Sequence, residues 1–221
     1  FIDFIETKEK TDSGLADEII CKLEKDGLDI QNVRGQGYDN RANMAGVYKG
    51  VQAIIFQRNN HAKYIPCAVH NLNLVCKNAA STNSGMMTFF GIIQRIYTFF
   101  VNSTSRWDAL MSVLNTTLKG HTDTRWSSRA NAVKALFQQI IEVYDVLKKM
   151  ASNEKSLQSA ESSSLLKQIN FKFLCMLSAW NLILQETEKV NKSLQSKTMN
   201  IHKAACLIEG LSLTLQQMRN N

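Results

Sequence analysis

Proline is nearly absent from this sequence: Pro66 is the only one among 221 residues, where average usage of about 5% would give roughly eleven. Because proline interrupts helices, its scarcity allows long uninterrupted ones. Cysteine pairs are also missing, since the five cysteines are scattered and form no Cys-x-x-Cys motif, which argues against a disulfide framework. We expect a mostly helical protein with reduced thiols.

The motifs of several common enzyme classes do not occur. The sequence has no Gly-x-Ser-x-Gly nucleophile motif, no paired His-Glu zinc motif and no phosphate-binding loop, so ordinary hydrolases, kinases and dehydrogenases find no support. No apolar run reaches the roughly 18 residues of a membrane span. We expect a soluble intracellular protein without a membrane partner, and a start at Phe1 rather than methionine suggests part of a longer protein.

Positive charge is concentrated in the second part of the chain. Residues 1–80 contain ten Lys or Arg and ten Asp or Glu, whereas residues 81–221 contain sixteen and nine, which accounts for the whole net charge of +7. Clustered basic charge favours a polyanionic partner such as nucleic acid. A diffuse excess on helices serves solubility instead, so charge alone leaves both interpretations open.

Residues 1–84 alternate short apolar runs with helical patterns, as an α/β layer does. Strands are predicted at residues 1–5 and 30–37, and a helix at 13–26 ended by Gly27. A second helix is predicted from Met44 to about residue 58. An extended segment over 63–70, with Pro66 marking a sheet edge or strand end, and a helix over 71–80 complete this part.

Residues 85–221 show helical periodicity only, which predicts an inserted or appended helical domain. Serine-rich residues 151–164 are predicted to form a flexible loop. Trp107 and Trp180 belong to apolar helix faces. The predicted helices cover residues 86–101, 108–118, 129–150, 165–188 and 200–218.

Asp39 follows Gly35-Gln36-Gly37-Tyr38 and is the first candidate site residue. A carboxylate at a strand tip suits Mg²⁺, a hard cation that takes oxygen ligands. Two-metal nucleases and transposases, however, need several carboxylates, and one aspartate cannot supply them. Considered alone, Asp39 is better explained as a helix N-terminal cap, a role that aspartate favours.

Cys67 and His70 form a Cys-x-x-His pair. Such a pair is half of a structural zinc site, which needs two further ligands. His61 is near in sequence but forms no recognisable second pair, so a zinc finger is disfavoured. The alternative is a buried Cys67 with His70 as a polar group at the end of a strand.

Arg125 and Trp126 lie between polar segments just before a predicted helix. An exposed Trp beside Arg can stack on an unpaired base while the guanidinium binds phosphate, and stacking contributes about 1–3 kcal/mol per base. The alternative is a Trp packed on the following helix with Arg125 in solvent. Both interpretations are open from the residues alone, and the second is favoured.

Three segments in this order resemble hAT-superfamily transposases and the host proteins derived from them. They are Gly-Gln-Gly-Tyr-Asp-Asn-x-Ala-Asn-Met-Ala-Gly, Cys-x-x-His-x-Leu-Asn-Leu-Val and Thr-Arg-Trp-Ser-Ser-Arg, and the resemblance spans roughly residues 1–135. The combination is similar to the domesticated vertebrate group that includes MYM-type zinc-finger proteins. The resemblance implies a ribonuclease-H-like core, partial here, interrupted by a large helical insertion domain, with boundaries at residues 1–84 and 85–221.

The resemblance also implies roles for the candidate residues. Asp39 matches the second catalytic, metal-binding aspartate, and Cys67 with His70 matches an element near the DNA backbone. Trp126 with Arg125 matches the insertion-domain pair that handles a flipped base. The family's first aspartate and final glutamate have no match in this sequence, and neither do its BED zinc finger and dimerisation segment.

These observations predict a nuclear, transposase-derived fragment without autonomous transposase activity and with residual DNA binding. Mg²⁺ would be bound only if other carboxylates completed the site, which would restore an active transposase or nuclease. The alternative from another class is a helical protein-interaction module, which would bind protein partners or self-associate.

Overall fold

The computed structural model describes residues 4–122, 126–152 and 157–220. The chain is mostly helical, with a small parallel sheet. It divides into two compact units, Phe1–Leu72 and Asn73–Asn221, here called the first and the second unit. The domain boundary at residues 84 and 85 stays a prediction.

The first unit contains the sheet. Strands β1 and β2 pair in parallel, with Gly35 opposite Lys63 and Tyr38 opposite Pro66. Helices between the two strands provide the crossover that a parallel pair requires. The elements are α1 (Asp12–Lys25), a 3₁₀ turn (Ile30–Asn32), β1 (Gly35–Tyr38), α2 (Ala42–Ala45), α3 (Val51–Arg58), β2 (Lys63–Pro66) and the start of α4 (Ala68–Ser81).

Helix α1 confirms the prediction for residues 13–26 and shows why the helix lies there. The Thr11 side chain accepts a hydrogen bond from the Gly14 N–H and caps the start. Gly27 adopts a φ of 71°, and the Leu28 N–H donates to the Leu23 carbonyl at 2.8 Å. This left-handed glycine termination satisfies carbonyls that the last turn leaves open.

A small apolar core and one buried asparagine join the elements of the first unit. Asn59, only 3% exposed, donates through Nδ2 to the carbonyls of Ile30 and Val33, both at 2.8 Å. Its Oδ1 accepts from the His61 N–H at 2.9 Å. The core residues are Ala16, Val51, Ile55 and Ala62.

Some predictions for the first unit were wrong in part. Phe4 and Ile5, the described part of the strand predicted at 1–5, form no strand and have exposed side chains. The strand predicted from Ile30 begins at Gly35, because the Asp29 side chain accepts from the Gln31 N–H and favours a 3₁₀ turn.

The helix predicted after Asp39 is two helices, α2 and α3, separated by a turn. The turn brings the Gly50 N–H to 3.1 Å from the Gly46 carbonyl. A Cβ atom on Gly50 would lie 2.5 Å from the Gly46 nitrogen. The close approach of these two glycines therefore interrupts what the apolar spacing predicts as one helix.

The second unit is a packed set of helices around an aromatic and aliphatic core. Its largest fully buried side chains include Phe89, Ile96, Phe99 and Phe100 of α5. Besides the end of α4, its helices are α5 (Ser84–Val101), α6 (Thr104–Met111), α7 (Trp126–Phe137), α8 (Ile140–Ala151), α9 (Leu157–Gln168), α10 (Phe171–Leu194) and α11 (Ile201–Asn220). The predictions for 86–101 and 200–218 are confirmed by α5 and α11.

The helix predicted at 129–150 breaks into α7 and α8 at Gln139. The buried Gln139 side chain accepts from the Thr116 N–H at 2.9 Å and donates to the Thr116 carbonyl at 2.7 Å. The break between α7 and α8 therefore lies where the Gln139 side chain is hydrogen-bonded to the backbone of Thr116. Similarly, Asn170 lies between α9 and α10. Its side chain accepts a hydrogen bond from the Phe173 N–H and caps the start of α10.

Two further boundaries differ from the predictions. The helix predicted at 108–118 overlaps α6 only at residues 108–111: α6 begins earlier, because the Ser103 side chain accepts from the Arg106 N–H, and ends at Met111. Within the loop predicted at 151–164, residues 157–164 belong to α9, and residues 153–156 lie outside the described ranges. Serine-rich composition suggested a loop there, but packing of α9 against α8 overrides it.

Among the described helices, none combines the length and apolar character that crossing a bilayer requires.

Candidate functional site

The carboxyl ends of β1 and β2 form a polar edge in the first unit. Parallel strands finish at the same edge, where α/β proteins commonly bind ligands. Asp39 directly follows β1, while Cys67 follows β2 and donates its N–H to the Tyr38 carbonyl at 3.1 Å. Helix α4 begins one residue later and carries His70 in its first turn. The fold therefore gathers Asp39, Cys67 and His70 at one edge.

A chain of hydrogen bonds crosses this edge. The Tyr64 hydroxyl donates to Asn40 Oδ1 at 3.2 Å and lies 3.4 Å from the Asp39 carbonyl oxygen. The Asn40 amide donates to Asn71 Oδ1. Tyr64 thus links β2 through Asn40 to the start of α4 and fixes the loop that carries Asp39.

The surroundings of Tyr64 further favour the protonated hydroxyl that an ordinary tyrosine already has at physiological pH. Burial raises the pKa of Tyr64, and the nearby Asp39 carboxylate and Cys67 thiol raise it further. Burial, followed by the neighbouring Tyr64, also raises the pKa of Tyr38, whose ring stacks on Tyr64 at 6.2 Å between centroids. Both phenols therefore remain neutral at physiological pH, and Tyr64 can act as a donor.

Asp39 forms a local turn rather than a helix cap. Its Oδ1 accepts from the Arg41 N–H at 3.3 Å, and its Oδ2 lies 3.4 Å from Arg41 Nε. The N-cap of α2 is Arg41 itself, which makes no side-chain cap bond. The cap interpretation of Asp39 was therefore wrong in detail: the carboxylate orders the chain before α2 through an Asx-type turn.

The sheet edge offers one carboxylate to a metal ion. Within residues 4–122, 126–152 and 157–220, no group of three or more His, Cys, Asp or Glu side chains is placed to hold a metal. A two-metal site needs several converging carboxylates, and Arg41 already partly neutralises Asp39. These residues do not by themselves fit a Mg²⁺ centre, and the metal role of Asp39 stays a prediction.

Cys67 and His70 differ from their expected surroundings. Cys67 is exposed rather than buried, and His70 lies half-buried in helix α4 rather than at the end of a strand. The extended segment predicted over residues 63–70 is shorter in the structure: β2 ends at Pro66, and α4 begins at Ala68. Pro66 at the strand end confirms its prediction. The contact of Cys67 and His70 with DNA stays a prediction.

Trp126 lies in the core of the second unit. The side chain is 4% exposed, and its ring contacts Phe90 and Trp180 edge-on at 6.1 and 6.0 Å between centroids. The Arg129 guanidinium lies 4.8 Å from the Phe90 centroid and 5.3 Å from that of Trp126. Stacking on a base would require this ring to leave its pocket. Arg125 lies outside the described residues.

The other two tryptophans occupy apolar helix faces, as predicted. Trp180 is buried on α10 within the same aromatic cluster as Trp126. Trp107 is half-buried on α6 and contacts Tyr97 edge-on at 6.2 Å.

Three lysines line a shallow groove between α7 and α10, here called the lysine groove. They are Lys134 of α7 with Lys189 and Lys192 of α10. Lys189 pairs with Glu186 at 2.5 Å, and Lys192 lies 3.9 Å from Glu188. Sequence reasoning located the basic excess after residue 80 but not this groove, because the lysines come from helices separated by about fifty residues in the chain.

Comparison with known families adds to this geometry. Residues 1–50 match the model of the family described as ZMYM1/FAM200, RNase-like domain (DUF4371). This segment resembles an RNase-like domain. The match includes β1 and Asp39 and supports a domesticated, transposase-derived group. No solved structure matches the chain.

The match agrees with the architecture of the first unit. A parallel β1–β2 pair with intervening helices is a βαβ unit, of the kind from which mixed α/β sheets are built. The family match and this unit together support a partial RNase-H-like start to the chain.

Proposed function

We propose that the chain is part of an hAT-transposase-derived, domesticated nuclear protein that has lost autonomous transposition and retains DNA binding. The observation that carries the proposal is the RNase-like match over residues 1–50, which includes Asp39 at the end of a parallel strand. The ancestral reaction would be Mg²⁺-dependent strand cleavage and transfer, in which Asp39 would hold metal.

The described environment of Asp39 does not by itself supply a two-metal site. Strand cleavage with two metals requires several carboxylates to position the ions and stabilise the leaving oxygen. Asp39 is paired with Arg41 instead, and it has no second carboxylate beside it in a metal-binding group within the described residues. Catalysis would depend on carboxylates supplied by other parts of the protein or by a second chain.

The second unit is the favoured DNA-binding part. The lysine groove places three cations between two helices, and neutralising phosphates with such cations releases counterions from DNA. The two lysines of α10 are paired with glutamates on their own helix. The Lys189–Glu186 pair is largely exposed and contributes only about 0–1 kcal/mol, so phosphate oxygens can replace Glu186. Glu188 also lines the groove and its side chain is 19% exposed, so it stays in place and lowers the net positive charge of the groove.

The test is a triple substitution in the lysine groove, Lys134→Gln with Lys189→Gln and Lys192→Gln. Binding to duplex and hairpin-ended DNA is measured by fluorescence anisotropy across a salt series. We expect weaker binding at low salt. The slope of log affinity against log salt should become shallower by about 0.9 for each phosphate that the variant no longer neutralises.

The matched control is the triple substitution of Lys148, Lys167 and Lys203 to Gln, which removes the same charge from exposed positions outside the groove. It should retain most of the wild-type slope. If the two triple variants weaken DNA binding equally, total charge alone drives binding. Wild-type protein that binds neither DNA at low salt would rule out the DNA-binding proposal.

A second candidate function, a protein-interaction module, is favoured by one observation. Helix α11 buries Leu211 but leaves Ile201, Leu213 and Met218 exposed. An apolar interface on this helix would persist at high salt, whereas phosphate contacts would weaken. Light scattering of the purified chain at low and high salt distinguishes salt-resistant self-association from the DNA-binding function.

A further inference from the structure

The second unit contains an apolar groove that the proposed DNA function does not use. Its volume is about 490 Å³, within the range of small-molecule sites. It is bounded by parts of α4, α5, α7, α10 and α11. The lining includes Val75, Cys76, Ala79, Met86, Trp126, Met176, Ala179, Trp180, Ile183, Leu215 and Met218, with Thr187 and Arg219 as the more polar members.

The volume of the groove suits a compact organic ligand, since it lies within the range of pockets that bind drug-sized molecules.

The chemistry of the lining defines the ligand further. Met86, Met176 and Met218 are flexible and polarizable, so they adapt to apolar groups of varied shape. Among the described residues of the lining, Arg219 is the one that carries a charge, and its exposed guanidinium lies near the end of α11. A ligand with an apolar body and one anionic group would bury the body against the methionines and present its charge to Arg219.

We propose that this groove binds a monomeric anionic amphiphile, such as a medium-chain carboxylate, with its apolar chain inside and its carboxylate at Arg219. The test uses decanoate below its micelle concentration, titrated into the 221-residue chain by calorimetry and by tryptophan fluorescence. We expect saturable binding at one site and a change in emission, because Trp126 and Trp180 both line the groove.

Two matched pairs of variants locate the site. Ala179→Phe fills the groove from an exposed helix position and should weaken decanoate binding at least ten-fold, while Ser178→Phe on the preceding residue should not. Arg219→Gln should weaken decanoate about two- to five-fold and leave decanol unchanged, as expected for a partly exposed ion pair. Lys203→Gln on the same helix should have no effect.

Three results would overturn the proposal. The first is absence of saturable decanoate binding to the wild-type chain. The second is equal weakening by Ala179→Phe and Ser178→Phe, which would place binding outside the groove. The third is binding only to micelles or lipid vesicles, which would indicate surface adsorption. Circular dichroism of each variant establishes that it is folded before the titration.

Discussion

Trp126→Ala should lower the free energy of unfolding of the second unit by about 3–5 kcal/mol, the range for removing a buried aromatic side chain. Trp126 is almost fully buried and packs edge-on against Phe90 and Trp180. The substitution leaves a cavity beside two rings and removes one of the two aromatic faces near the Arg129 guanidinium. Urea unfolding followed by circular dichroism and by emission from Trp107 and Trp180 measures the loss.

Trp126→Phe separates the structural role from the DNA role predicted for this residue. It keeps an aromatic ring in the cluster and removes an Nε1–H that has no partner in the described residues, so it should cost clearly less than Trp126→Ala. Trp107→Ala, at a half-buried position, is the control for losing one tryptophan. An unfolding midpoint of Trp126→Ala equal to that of wild type would contradict the buried position.

The same pair of variants informs the base-stacking hypothesis. If folded Trp126→Phe binds hairpin-ended DNA as tightly as wild type, the indole makes no specific contribution there. If it binds several-fold more weakly at unchanged stability, the ring must leave the aromatic cluster on binding. Stacking on a base must then offset the lost burial of the Trp126 indole. The net gain in binding free energy is therefore smaller than the usual value of about 1–3 kcal/mol per base.

Local chemistry made some helices predictable from sequence. Helix α1 combines a capping threonine, apolar positions at a spacing of four and Gly27 after its end. Helix α5 has a broad apolar face and was predicted nearly to its boundaries. In these segments, propensity, periodicity and termination agree, and tertiary contacts do not need to override them.

The breaks within the other helices depend on distant residues. Gln139 divides α7 from α8 and bonds to the backbone of Thr116, more than twenty positions earlier. Helical periodicity continues through Gln139, so pattern alone favours one helix. Gly46 and Gly50 likewise break a helical pattern through mutual approach, which spacing does not reveal.

The candidate site was predictable only in part, for a related reason. Asp39, Cys67 and His70 follow strand ends in sequence, so their convergence follows from parallel pairing. Tyr64 was missed because its hydroxyl reaches Asn40 across the sheet edge, and nothing in the spacing of the two residues indicates that contact. The lysine groove was not predicted, because α7 and α10 contact each other only in the folded unit.

Asn59→Ala should destabilise the first unit by about 2–4 kcal/mol, because it removes three hydrogen bonds of a buried amide, each contributing about 0.5–1.5 kcal/mol net. The side chain currently satisfies the Ile30 and Val33 carbonyls and the His61 N–H. These groups belong to the 3₁₀ turn, the segment before β1 and the turn before β2. One amide therefore joins the backbone segments that precede the two strands.

Asn60→Ala is the matched control, since Asn60 is the exposed neighbour of Asn59 and should change stability by less than about 0.5 kcal/mol. All three tryptophans lie in the second unit, so hydrogen exchange in peptides from β1, α3 and β2 is the suitable measurement. Asn59→Asp should destabilise at least as much as Asn59→Ala, because it keeps the acceptor for His61 but turns a buried charge toward two carbonyls. Exchange rates in Asn59→Ala equal to those of Asn60→Ala would show that this amide does not hold the first unit together.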